Sequence, residues 1–73
     1  MDTFADRLRI AMERQSMKQV DLIRAAANQG IKLGKSHISQ YVSGKTIPRA
    51  DMLRFLASTL QVEEDWLSGK TVW

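Results

Sequence analysis

The sequence predicts an all-α protein, a compact bundle of five short helices. Three observations carry that expectation. Apolar residues recur at helical spacing through nearly all of the 73 residues. Glycine and proline together occupy five positions, four and one, which leaves long stretches free for regular structure. The one strand-like alternation, Ile31-Lys32-Leu33, has no second strand to pair with.

Each element has its own reason. Phe4, Leu8, Ala11 and Met12 fall at i, i+4, i+7 and i+8, an apolar stripe on a first helix over about 3–15, with Arg7, Arg9, Glu13 and Arg14 away from its centre. A second helix, about 19–29, places Val20, Ile23 and Ala27 on one face with Leu22 and Ala26 beside it. The run Ala25-Ala26-Ala27 favours helix, and Gly30 offers a stop. Ile31-Lys32-Leu33 then reads as a turn whose apolar residues plug the core. A third helix spans about 35–43 and Gly44 closes it. Pro48 disfavours helix at Ile47, so Lys45 to Pro48 is a loop. The fourth helix, about 49–60, aligns Leu53, Leu56 and Leu60 and carries Asp51 in its first turn, where the helix dipole favours an anion. A fifth, about 63–68, starts acidic and brings Trp66 and Leu67 to close the core; Gly69 to Trp73 reads as a frayed end or a cut.

Size and composition narrow the function. A chain of 8.3 kDa forms one domain, residues 1–73, and offers little depth for a catalytic cleft. It has no cysteine, and its one histidine, His37, has no neighbouring Cys, Asp or Glu cluster, so neither a metal nor another cofactor is expected. No nucleophile–base pair stands out, and Glu63, Glu64 and Asp65 read as dipole-matching charges at a helix start, so the chain is not expected to be an enzyme. No apolar run reaches membrane-spanning length, and Met1-Asp2-Thr3-Phe4 lacks the form of a signal peptide. The expected location is the cytoplasm.

The net charge is +3, unevenly placed. Residues 18–49 carry Lys18, Arg24, Lys32, Lys35, Lys45 and Arg49 against Asp21 alone, a balance of +5. The preceding segment is neutral and residues 50–73 carry −2. A basic middle between neutral and acidic flanks suggests a surface that meets an anion, and a nucleic-acid backbone is the simplest one.

The third helix sharpens this reading. At 100° per residue, Ile38, Tyr41 and Val42 form its inner face, while Ser36, Gln40 and Ser43 line the opposite side. Exposed helix positions more often hold Glu, Lys or Arg, which favour helix and solubility. A Ser/Gln stripe suits the major groove instead, where Gln pairs with adenine and Ser with any base edge. Lys35 and His37 flank the stripe at the helix start, and Lys45 and Arg49 follow its end, placed to touch phosphates. Tyr41 belongs to the core with its hydroxyl at the edge, as does Trp66; Trp73 is either exposed or part of a further segment.

These residues resemble the Cro/CI-type helix-turn-helix repressors of phages and bacteria, the lambda-repressor-like XRE family. Leu8, Ala11, Met17, Gln19 and Leu22 fall at the family's spacing. The string Ile38-Ser39-Gln40-Tyr41-Val42-Ser43-Gly44-Lys45 resembles its "I-S-x-[YW]-x-x-G-K" core, and Pro48 follows in place. Leu53, Leu56, Ala57, Leu60, Val62, Trp66 and Leu67 match its last two helices. The resemblance implies a DNA-binding domain of a transcription regulator, a repressor, in which the second and third helices form the helix-turn-helix. It implies that Gln19 buttresses a backbone contact, that Lys35, Ser36, His37 and Gln40 read bases, and that Ser43 and Lys45 contact phosphate. The implied partner is double-stranded DNA, bound as a weak homodimer or through dimerisation by a domain beyond residue 73. An antitoxin-like or adaptor domain acting through protein contact is the alternative.

Three departures from the family pattern stand out. Leu22 and Ile38 are five residues further apart than usual, so either the second helix gains a turn or residues 30–34 form a real loop. Lys18 replaces the usual Ser or Thr cap, so either the cap is lost or Ser16 acts one turn earlier. Met12 replaces a frequent arginine and packs instead of pairing.

Overall fold

Thr3 opens α1 (Phe4–Arg14) with a reciprocal cap: its Oγ1 accepts the Asp6 N–H at 3.3 Å, and the Asp6 carboxylate accepts the Thr3 N–H at 3.2 Å. Four more helices follow in the computed structural model, which describes residues 3–69: α2 (Gln19–Asn28), α3 (Lys35–Ser43), α4 (Ala50–Leu60) and α5 (Glu64–Ser68). The reading of Trp73 lies outside the described residues. Among those residues every regular element is a helix.

One device ends α1 to α4. At each C-terminus a residue turns into the left-handed region and two backbone N–H groups reach back to orphan carbonyls. After α2, Gly30 donates to Ala27 O at 3.1 Å and Ile31 to Ala26 O at 2.8 Å. After α3, Gly44 and Lys45 donate to Tyr41 O and Gln40 O. Gly30 and Gly44 hold positive φ at no steric cost, whereas Ser16 after α1 (φ 54) and Gln61 after α4 (φ 58) do so with a side chain attached.

The core is one cluster. Leu8, Leu22, Ile38, Leu56, Leu60 and Leu67, at least one from each helix, are its largest fully buried side chains. α3 packs on α1 and α2; α4 packs on α2 and α5, and α5 returns to α1. The longer α2–α3 separation is a real loop: α2 stops at Asn28, and the connection runs to Gly34. Leu33 is buried and Ile31 half-buried against the core, which pins the loop in place. Met12 is buried in the same cluster.

Two details correct the sequence reading and one adds to it. Arg7, placed by spacing away from the centre of the α1 stripe, is only 4% exposed. Its guanidinium donates to the Trp66 carbonyl and lies 5.3 Å from the Trp66 ring centroid, joining α1 to α5. Helical geometry accounts for this: Arg7 sits about 40° from Ala11 on the wheel, at the edge of the apolar stripe. On α2 the core face is Leu22 and Ala26, with Ile23 and Ala25 half-buried, while Val20 is 52% exposed and Ala27 is exposed. Val20 and Ala27 lie about 140–160° around the helix from Leu22, so they cannot share its face. Ser16 caps nothing at α2; it belongs to the α1 terminus, its N–H bonded to Glu13 O. The start of α2 is instead held by Asp21, whose carboxylate accepts the Lys18 N–H at 2.8 Å.

Candidate nucleic-acid interface

α3 presents most of its length to solvent. Ile38 is 0% exposed and anchors the helix, with Tyr41 and Val42 half-buried beside it. Lys35, Ser36, His37, Ser39, Gln40 and Ser43 are all exposed. Lys35, Ser36 and His37 occupy the first turn and Gln40 the next. Gly34, the N-cap, has no side chain to occupy the first N–H groups of the helix; His37 Nδ1 accepts only the Gly34 N–H, at 3.4 Å. That helix end therefore combines a cation, polar side chains and a partial positive charge.

Two contacts fix the angle at which α3 is held. Tyr41 meets Phe4 of α1 edge-on, the ring centroids 6.4 Å apart. Arg9 of α1 donates to the Val42 carbonyl at 2.6 Å and pairs with Asp6. Arg9 thus satisfies an orphan carbonyl in the last turn of α3 and positions the helix. Sequence reasoning missed this role, because an exposed arginine on α1 reads as ordinary surface.

The expected phosphate-contacting residues are not all equivalent. Lys45 and Arg49 are exposed in the segment between α3 and α4, where Arg49 is the N-cap of α4 and has no side-chain cap bond. Ser43 is exposed, but its hydroxyl donates to the Gln40 carbonyl at 3.1 Å, so its proton must turn to meet a phosphate. Gln19 is half-buried at the first position of α2. A groove brings His37, Gln40 and Arg49 together with Tyr41, Thr46 and Ile47; Gln19, Lys35, Ser36, Ser43 and Lys45 do not line it.

The electrostatics keep the basic segment available. Its one carboxylate, Asp21, is occupied by the Lys18 N–H and stands 4.0 Å from the Arg24 guanidinium. Lys18, Arg24, Lys32, Lys35, Lys45 and Arg49 are exposed. The acidic residues Glu63, Glu64 and Asp65 lie at the α4–α5 corner, where Arg54 pairs with Glu64 at 3.3 Å. Among the described residues no helix is long and apolar enough to cross a membrane.

A protein-family model described as helix-turn-helix matches residues 8–67, a span that begins within α1 and ends within α5. No curated protein matches the sequence.

Proposed function

From the premise that this chain belongs to the helix-turn-helix family of the Cro/CI-like XRE type, a family of DNA-binding transcription regulators, we propose that it is a repressor reading double-stranded DNA in the cytoplasm. The whole of residues 1–73 acts as one DNA-binding domain. α3 enters the major groove by its N-terminal end. Lys35, Ser36, His37 and Gln40 contact base edges, Gln40 by two hydrogen bonds to an adenine. Gln19, Ser43, Lys45 and Arg49 contact phosphates and fix the register without reading sequence.

The observation that carries this reading is the division of α3. Ile38 is fully buried while Ser36 and Gln40 face solvent beside exposed cations. A helix held by one deep anchor and lined outside by short polar groups can approach base edges closely. Two copies bind two half-sites about 34–36 Å apart, one helical turn of duplex.

Selection of bound sequences from a random duplex pool at near-physiological salt tests the proposal. The expected product is a palindrome with a conserved adenine in each half. Recovery of unselected sequence contradicts the base-reading role of α3.

A further inference from the structure

Ile47 is 77% exposed, the most exposed large apolar side chain of the described residues. Its chain neighbours differ: Pro48 is buried, and Lys45, Thr46 and Arg49 are exposed and polar. Burying such a side chain is favourable, and nothing within the fold takes it up. Ile47 lines two grooves, one toward Phe4, Ala5 and Arg9 of α1 and one shared with His37, Gln40 and Tyr41 of α3 and Thr46 and Arg49 of the following segment. Ile47 therefore shares a surface with two residues assigned to base reading and is bracketed in sequence by two cations.

That setting selects among possible occupants. An apolar protein surface laid on Ile47 would have to desolvate Lys45 and Arg49 with no return. A duplex offers phosphates to both cations and an apolar group close by. In the major groove the apolar feature of the base edges is the C5-methyl of thymine. Asp51, the one carboxylate lining the groove shared with α3, accepts the Met52 N–H at 3.0 Å and sits in the first turn of α4, whose dipole offsets part of its charge.

We propose that Ile47 is a further specificity-determining residue, which packs on the C5-methyl of a thymine next to the bases read by His37 and Gln40. The inference rests on the DNA-reading function proposed above. It adds to it a contact that is apolar, sequence-dependent and insensitive to salt.

The test uses the duplex recovered from the random pool, with each thymine replaced singly by deoxyuridine, which removes only the methyl. Affinities of the wild-type chain and Ile47→Ala are measured on each duplex at several salt concentrations. One thymine per half-site is expected where the replacement weakens wild-type binding about fourfold, the worth of one buried methyl. Ile47→Ala should bind the unmodified duplex several-fold more weakly and be indifferent to deoxyuridine at that position. Its salt slope should equal that of the wild type. Thermal unfolding should show no loss of stability, since the side chain is exposed. The inference is overturned if Ile47→Ala binds as well as wild type, or loses the same factor on thymine and deoxyuridine duplexes. It also falls if the deoxyuridine scan leaves wild-type binding unchanged at every position while the chain still selects a sequence. A wild-type chain that selects no sequence removes the DNA-reading function itself, a separate outcome.

Discussion

α1 buries six of its eleven residues, including Phe4, Leu8 and Met12, whereas α3 fully buries only Ile38 of nine. α1 begins with the Thr3–Asp6 cap; α3 begins at Gly34, which has no capping side chain. The order reverses at the other end. α3 closes on Gly44, which adopts φ 84 freely, and α1 closes on Ser16, held at φ 54 against its steric preference. The two helices are in contact, and Arg9 and Phe4 of α1 hold α3 by Val42 and Tyr41. One helix spends its surface on the core and on bracing its neighbour. The other packs on two helices through one fully buried side chain and leaves most of its own side chains exposed.

If α3 hangs on a single anchor, Ile38→Ala should have the largest effect on stability, a loss of about 2–5 kcal/mol. Chemical denaturation measures it. A loss below about 1 kcal/mol would mean that the half-buried Tyr41 and Val42 hold the helix without Ile38. The two C-termini give a smaller and opposed pair of effects. Gly44→Ala should destabilise by about 1 kcal/mol, because a Cβ is forced into the left-handed region. Ser16→Gly should stabilise by about 0.5–1 kcal/mol, because it relieves that strain. Shifts of the same sign would break the contrast between the ends.

The N-termini give the smallest effect. The Thr3 N–H and hydroxyl, bonded to the Asp6 carboxylate, and then Arg9 beside it, hold the Asp6 pKa below its ordinary 3.8. A lowered folded pKa contributes stability above the unfolded value and loses it as pH falls through the folded one. Wild-type stability should therefore drop further with acidification below about pH 4 than that of Asp6→Asn. Parallel profiles for the two would detach Asp6 from the cap. α3 has no carboxylate in its first turn, so it has no counterpart to this dependence.

Much of this contrast is visible in the sequence, and the part that is not has geometric causes. The Ser36, Gln40 and Ser43 stripe follows from helical spacing, because Ile38 fixes the rotation of the helix. Ile31 and Leu33 could be read as core plugs because their strand-like alternation has no second strand to pair with. On α2, six apolar or small residues surround the helix, so spacing supports more than one face; Leu22 and Ala26 point inward, not Val20 and Ala27. Spacing puts Arg7 at the edge of the α1 stripe, but its burial also needs Trp66 of α5, a contact between residues far apart in sequence. The groove between α3 and the next segment depends on distances between residues 37–41 and 46–52, which no periodicity encodes. Ile47 sits in a loop, where spacing gives no inside or outside.

The central claim is that α3 reads bases while the cations around it hold the backbone. Binding of wild-type, Gln40→Ala and Lys45→Ala chains to the selected duplex and to random duplex, across a salt series, tests it directly. Gln40→Ala should cost about 1–3 kcal/mol on the selected duplex and almost nothing on random DNA, at an unchanged salt slope. Lys45→Ala should weaken both duplexes alike and flatten the slope of log affinity against log salt by about one. Equal losses from both substitutions on random DNA would contradict the division.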